Sequence, residues 1–282
     1  MKQNTTEWHE MRRNHIGASD APVIMNVSPW RTPFQLWEEK LGVGEKQVET
    51  SAMRFGKENE EVARQAYENY TGNLIAPEVV HHPEHKFMMA SLDGITMNRD
   101  IIVEIKNSNR EDHENAKNGI IPEKYIPQLQ HQLDCLKAPV LHYWSFHNNE
   151  GVLVETGRDE KYIKKLVAEE KKFWDYVLNF QAPPFTDRDY IDLNDDEDWA
   201  KIIREAEKIK KVEEWIKSRK EKNRMKAKER CNSQSAKGSG AIFYRSLKAG
   251  NIDYKSVPQL EGLDLSSYRK PSTETWVLRF LK

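Results

Sequence analysis

The run Ile101-Ile102-Val103-Glu104-Ile105-Lys106 constrains this chain more than any other segment. Its β-branched residues favour a strand. Because side chains alternate along a strand, Glu104 and Lys106 share one face while Val103 and Ile105 turn to the core. Upstream stands Ser91-Leu92-Asp93-Gly94, and a polar turn through Gly94 and Asn98 predicts a hairpin between strands at 87–91 and 101–105. Such a hairpin can return Asp93 to the neighbourhood of Glu104 and Lys106. Two converging carboxylates suit a hard divalent cation such as Mg²⁺, and an adjacent lysine can orient or deprotonate water or stabilise phosphate charge. That chemistry fits phosphodiester hydrolysis. Alone, however, a Glu-x-Lys tripeptide reads more readily as an ordinary ion pair on a surface hairpin.

The surrounding pattern predicts an α/β (α+β) unit over residues 1–184. Helices are expected at 33–41 and at 55–70, the second with Phe55, Val62, Ala63, Ala66 and Tyr70 along one stripe and Gly72 as its stop. A further strand is expected at 74–81. A helix beginning between Pro122 and Ile126 runs to Leu136, followed by strands at 140–146 and 152–156 joined through Asn148, Asn149, Glu150 and Gly151. A helix over 159–180 is expected to pack Tyr162, Leu166, Phe173, Trp174 and Val177 inward, and Pro183 and Pro184 end it.

Past that proline pair the composition changes. Asp192, Asp195, Asp196, Glu197 and Asp198 lead into a long helical pattern over 199–230. In its first half Trp199, Ile202, Ala206, Ile209 and Ile216 recur at helical spacing, as for packing on the domain or a partner helix. Its second half is basic from Lys217 to Arg230, and either phosphate binding or a solvated face accounts for it. A flexible SAKGSG stretch and short strands at 241–246 and 275–281 follow. Residues 185–282 thus read as a C-terminal extension of one long helix and a small β element.

The 44 basic and 45 acidic residues leave a net charge of −1, which neither supports nor excludes a polyanionic partner. The only two cysteines, Cys135 and Cys231, stand apart without ligand spacing, against a disulfide framework or structural zinc. His81, His82 and His85 cluster near Pro83 but have no second ligand pair. No apolar stretch is long enough to span a bilayer, so a cytosolic protein is expected with no membrane partner.

Four blocks carry a resemblance. Trp8-His9-Glu10-Met11-Arg12, Ile16-Gly17-Ala18-Ser19-Asp20 and Ser28-Pro29-Trp30 make the first, and Gly56-Lys57-Glu58-Asn59-Glu60 the second. The third is Ser91-Leu92-Asp93-Gly94 with Glu104-Ile105-Lys106. The fourth is Tyr125-Ile126-Pro127-Gln128-Leu129-Gln130-His131-Gln132. In this order they resemble the YqaJ-type viral recombinase and lambda exonuclease family, within the PD-(D/E)xK nuclease superfamily. Leu92 stands where the superfamily's nominal proline would be.

The resemblance implies a restriction-endonuclease-like core, a central mixed sheet flanked by helices. It implies metal ligation by Asp93, Glu104 and the carbonyl of Ile105, and a catalytic role for Lys106, with Glu60, Tyr125 and Gln128 lining the site. Arg12, Ser19 and Ser91 would contact DNA phosphate. Arginine suits bidentate phosphate contacts and a serine at a helix start lies among free N–H groups, although Ser19 or Asp20 equally reads as a helix cap. Tyr125, Gln128 and Gln132 would form the polar face of one helix. Trp30 is the tryptophan expected to stack on DNA bases, since it stands in a proline-containing loop near the phosphate block.

The expected activity is Mg²⁺-dependent (alternatively Mn²⁺-dependent), two-metal exonuclease digestion of duplex DNA ends, 5′-to-3′. It would leave single strand for recombination with a single-strand annealing protein. By resemblance, the chain would form a homo-oligomeric ring and be phage or prophage encoded in a bacterial cytoplasm. Two rivals stay open: an endonuclease with the same site, and a non-catalytic DNA- or partner-binding protein retaining the fold.

Overall fold

The computed structural model describes residues 6–44, 51–232, 234–246 and 250. Two compact units divide between Asp192 and Leu193. In chain order the first contains α1 (Thr6–Arg13), β1 (Ile16–Gly17), a 3-10 turn (Ala18–Asp20), α2 (Ala21–Ile24), α3 (Pro33–Leu41), α4 (Ser51–Thr71) and β2 (Ile75–His81). Then come β3 (Met88–Thr96), β4 (Ile101–Asn107), α5 (Arg110–Lys117), α6 (Ile126–Leu136), β5 (Val140–His147), β6 (Glu150–Gly157) and α7 (Glu160–Leu178). The strands form one mixed sheet in the order β1-β3-β4-β5-β6, with β2 also paired to β3. It is the expected helix-flanked mixed α/β core.

Register explains why β3 matters. Antiparallel β2 pairs along one edge of it from Met89 to Thr96. Two strands share the other edge: β1, parallel, at Met88 and Met89, and β4, antiparallel, at Gly94 and Ile95. Between them the edge at residues 90–93 is open, and Ser91 and Asp93 lie in that gap.

The hairpin differs from expectation in one respect. β3 continues to Thr96 because β2 pairs with it that far, so Gly94 lies inside the strand and the turn falls at residues 97–100. A Cβ on Gly94 would stand 2.3 Å from Ile75 Cδ1, which is why a glycine sits there. The β5–β6 turn is likewise tighter than expected. Asn148 and Asn149 alone make it, at φ 49° and 62°, the left-handed region that asparagine tolerates.

One cluster packs Ile102, Leu129, Leu133, Leu141 and Leu92 beneath α6, and another packs Ala63, Tyr67, Val103, Ile105 and Trp144 beneath α4. The inward stripe of α4 therefore runs through Ala63 and Tyr67, whereas Val62 and Tyr70 are exposed. Tyr67 is placed inside by its hydroxyl, 2.7 Å from His142 Nδ1. The side chain of Phe55 lies outside the described residues. In α7 the buried set is Ile163, Leu166, Glu170, Phe173 and Val177. Tyr162 and Trp174 sit at its margin.

Residues 185–192 belong with this unit. Phe185 packs 4.4 Å from Phe34, Arg188 donates to the Ser28 carbonyl at 2.8 Å, and Thr32 donates its hydroxyl to Asp189.

The second unit contains α8 (Glu197–Arg230), capped by Asp196, which accepts from Trp199 N at 2.7 Å. None of its residues is buried, and Ile202 and Ile209, expected to pack, are 56% and 53% exposed. The stretch read as flexible instead forms a hairpin of β7 (Ala236–Gly238) and β8 (Ala241–Phe243), turning at Ser239 and Gly240 with positive φ. The strand expected at 275–281 lies outside the described residues. Among the described residues no helix is long and apolar enough to cross a membrane.

Candidate active site

Glu104 lies on the inner sheet strand β4 and is 2% exposed, so its charge needs partners within the protein. It has three. Oε1 accepts from Gln128 Nε2 at 2.6 Å and faces Lys106 Nζ at 2.6 Å, while Oε2 accepts from Gln132 Nε2 at 2.5 Å. Both glutamines project from α6. Their helix face is buried, not solvated, which accounts for amides where a surface helix would carry charges. Gln128 also accepts from Lys106 Nζ through Oε1 at 3.2 Å, closing a ring of Glu104, Lys106 and Gln128.

Asp93 reaches the same place from β3. Its Oδ2 accepts from the Ile105 amide at 3.0 Å, a bond available because β3 and β4 stop pairing at Gly94. Desolvation and the Glu104 charge push the Asp93 carboxyl well above the usual carboxylate range, and Glu60 adds to the push, outweighing Lys106 and the Ile105 amide. Desolvation opposes the Lys106 charge too, but Glu104 and Asp93 outweigh it and hold the ammonium above its ordinary range. Lys106 is a cation here at neutral pH.

Tyr125 precedes α6, with Lys106 Nζ 5.2 Å from its ring centre. Trp30 lies 6.3 Å from Tyr125 between ring centres and is 62% exposed, and Lys124 Nζ sits over both rings at 5.6 and 5.2 Å. Glu60 pairs with Arg64 at 2.7 Å on α4. Asn107 Nδ2 fastens that helix to β4 through the Gly56 carbonyl at 3.1 Å.

A second cluster stands at β1. Arg12 donates to Ser19 Oγ at 2.8 Å and to Asp20 Oδ1 at 3.1 Å. Ser19 lies in the 3-10 turn rather than in a helix of any length. Asp20, 1% exposed, caps backwards, accepting from Gly17 N at 2.9 Å, and pairs with Lys40 at 2.6 Å. Lys40 is itself buried and donates to the carbonyls of Arg12 and His15, each at 2.7 Å. Burial alone would raise the Asp20 carboxyl, but Lys40, Arg12 and the Gly17 amide hold it well below the usual carboxylate range. Parallel pairing of Gly17 with Met89 sets this cluster beside Ser91, two residues further along β3. Ser91 Oγ is buried without a hydrogen-bond partner among the described residues.

Asp93, Glu104, Lys106, Gln128, Gln132 and Tyr125 therefore converge, with Glu60 at their margin. Arg12 and Ser19 form a separate cluster linked to them by β3. Sequence reading missed Lys40, an ordinary-looking lysine in the last turn of α3. It also missed the pairing of His131 with Glu170 at 2.7 Å, which fastens α6 to α7 while His131 Nε2 bonds the Met89 carbonyl at 2.9 Å. The three-histidine cluster has another use: His82 Nε2 bonds Asp134 at 3.0 Å and its Nδ1 accepts from the amides of Glu84 and His85.

The donor set suits one divalent cation between Asp93 and Glu104. Asp93 Oδ1 has no hydrogen-bond partner among the described residues. Glu104 Oε2 has one donor, leaving a lone pair. Together with the displaced Asp93 titration this is an excess of negative charge that a hard cation would neutralise.

Residues 7–138 match the model of the YqaJ-like viral recombinase domain. Over these residues the chain is similar to that family. The uncharacterized protein YqaJ of Bacillus subtilis (strain 168) is 33% identical over 185 residues, 63% of this chain and 58% of that protein. The uncharacterized protein R354 of Acanthamoeba polyphaga mimivirus is 28% identical over 96 residues, 33% of this chain and 17% of that protein. The chain thus spans well under two thirds of each relative's length. The crystal structure of an alkaline exonuclease, LHK-Exo, from Laribacter hongkongensis superposes with TM-score 0.54 at 25% identity, covering 61% of this chain and 92% of that one. Its complex with dAMP gives TM-score 0.55 over the same shares. The YqaJ-like region includes the Arg12 cluster, the Asp93–Glu104–Lys106 centre and both α6 glutamines.

Proposed function

We propose that this chain is a metal-dependent exonuclease that digests duplex DNA from its ends in the 5′-to-3′ direction, leaving single strand for recombination. The observation that carries the reading is the ring of Glu104, Lys106 and Gln128 beside the Asp93 carboxyl, which stands on the strand that also pairs with β1 next to the Arg12–Ser19 cluster. The similarity to an alkaline exonuclease supports nuclease chemistry, and that neighbour's complex with dAMP supports a nucleotide as ligand or product.

Asp93, Glu104 and the Ile105 carbonyl would hold Mg²⁺ or Mn²⁺, in a two-metal site on this reading. A bound cation supplies Lewis-acid polarisation of a phosphoryl oxygen and a water of lowered pKa. The chain's own groups do the rest. Lys106, kept cationic by the two carboxylates, donates to the phosphate oxygen on which charge develops. Gln128 fixes the position of Lys106 and Glu104 together, and Gln132 fixes the orientation of Glu104, so neither group reorganises during the reaction.

Arg12 and Ser19 offer donors for a terminal 5′-phosphate, with Ser91 Oγ supplying a further donor beside the scissile region. Trp30, fronting Tyr125, offers a surface for base stacking at the mouth of the site. A homo-oligomeric ring around the duplex, a single-strand annealing protein as partner and a phage-encoded origin in a bacterial cytoplasm complete the reading.

The test is digestion of linear duplex bearing 5′-phosphate or 5′-hydroxyl ends, with and without Mg²⁺, by wild type and Lys106→Ala. Metal-dependent release of mononucleotides, faster from 5′-phosphate ends and lost in Lys106→Ala, supports the reading. Cleavage of covalently closed circles would favour an endonuclease. Duplex binding without cleavage would favour a non-catalytic role.

A further inference from the structure

We propose that α8 is a pairing surface for a second copy of this chain, the two helices running antiparallel. The helix is 34 residues long, about 51 Å at 1.5 Å per residue, and none of its residues is buried. A helix of that length with so many exposed apolar side chains suits a partner helix.

Its apolar residues are not scattered. Trp199, Ile202, Ala206, Ile209, Glu213 and Ile216 follow the 3-4-3-4-3 spacing of a two-helix seam, all apolar but Glu213. Val212 and Trp215 flank the stripe and are exposed. The spacing fits a straight helical partner with the same repeat.

Charge decides what that partner is and which way it runs. Asp195, Asp196, Glu197 and Asp198 precede the seam without an intervening cation. Beyond it, from Lys217 to Arg230, eight lysines and arginines face only Glu221 and Glu229. A helix acidic at one end, basic at the other and carrying an apolar stripe between is complementary to itself reversed, the pattern of an isologous two-fold contact.

Setting Trp199 of one copy against Ile216 of the other pairs Ala206 with Ile209. It also places Asp195, Glu197 and Asp198 beside Lys217, Arg219 and Lys220. A parallel pair would set acid on acid and base on base, which destabilises. Glu213 falls opposite Ile202, a polar interruption that penalises slipped registers. The segment from Lys222 to Arg230 projects past the partner's acidic end, and Arg224 within it pairs with Glu221 of its own helix at 3.1 Å.

Disulfide trapping in the full chain tests this. In a Cys231→Ser background, Trp199→Cys and Ile216→Cys are made singly and together, oxidised mildly and resolved without reductant. Both positions are partly solvent-facing, so folding should survive. Antiparallel pairing predicts a covalent dimer from the double variant and none from either single one, since each position lies about 25 Å from its twin at 1.5 Å per residue.

Cross-linking of the single variants would mean parallel helices and overturn the proposal. No dimer from any variant would mean that the face is covered by this chain's own residues or by another protein, which also overturns it. Lys217→Glu, Arg219→Glu and Lys220→Glu together should cut the dimer yield several-fold, and adding Asp195→Lys, Glu197→Lys and Asp198→Lys should restore it. Failure to restore would refute the register.

Discussion

Gln128 donates its side-chain amide to Glu104 across 2.6 Å, joining a helix to a carboxylate buried in the middle of the sheet. The same side chain accepts from Lys106 at 3.2 Å, so one amide sets the position of both ionic groups. Gln128→Leu keeps the volume and removes both bonds. We expect exonuclease turnover to fall by about 10²-fold, and Mg²⁺ affinity by roughly ten-fold or more, as for groups that orient ligands and charge-stabilising donors. Mg²⁺ titrations of the initial rate separate the two effects.

Arg12 should govern end recognition without touching the chemistry. Its guanidinium bonds Ser19 and Asp20 and lies 5.1 Å from the Trp8 ring centre, away from Asp93 and Glu104. Arg12→Ala is expected to abolish the preference for 5′-phosphate over 5′-hydroxyl ends while leaving slow, metal-dependent hydrolysis. Competition between the two substrates in one reaction reads this directly. An unchanged preference would remove the pocket assignment.

Asp20 and Lys40 form a buried ion pair, and breaking one partner leaves the other charged and unpaired. Asp20→Asn should cost about 3–5 kcal/mol at pH 7. The folded pKa of Asp20 lies below its unfolded value of about 3.9. The stabilisation from its charge is therefore complete above that pH and fades as pH falls toward the folded value. Denaturant titrations should show a wide gap between wild type and Asp20→Asn at pH 7 that narrows below about pH 4. A gap independent of pH would mean that shape, not charge, holds the turn.

Gly94→Ala tests whether the glycine after Asp93 is required by packing. The added methyl meets Ile75 Cδ1 at 2.3 Å and its Cβ at 3.1 Å, inside normal contact. Overpacking of this kind costs about 1–3 kcal/mol. Ile75→Val, which removes Cδ1, should recover part of that loss in a double-mutant cycle by thermal melts. Additive effects of the two substitutions would contradict the contact.

Much of this architecture was legible in the sequence because its cues are local. Pro33–Leu41 starts after a threonine cap and ends at Gly42, and the structure keeps those limits. The alternation in Ile101–Asn107 places Glu104 and Lys106 on one face. What escaped depends on distant partners. α5 was invisible because REDHENAK has no apolar stripe, its start being fixed by Asn109 accepting from Asp112 N at 2.8 Å. Lys40 looks like any lysine near a helix end until the chain folds Asp20 against it. Gln132 belonged to a recognisable block, but that it would bind Glu104 Oε2 follows only from the crossing of α6 over β4.

The shared strand has a metric consequence for the proposed reaction. Gly17 is tied to Met89 by main-chain pairing and Asp93 follows four residues later, so about 13 Å of β3 backbone, at ~3.3 Å per residue, runs from that pairing to Asp93. A strand held at its terminal phosphate would be cut at a fixed distance from that anchor. Side-chain substitutions change how firmly the end is gripped or how fast the bond breaks. Because β2 pairs along the same stretch, inserting or removing one residue between Met89 and Asp93 would turn the Asp93 side chain to the opposite face, so strand register fixes the spacing and the site together.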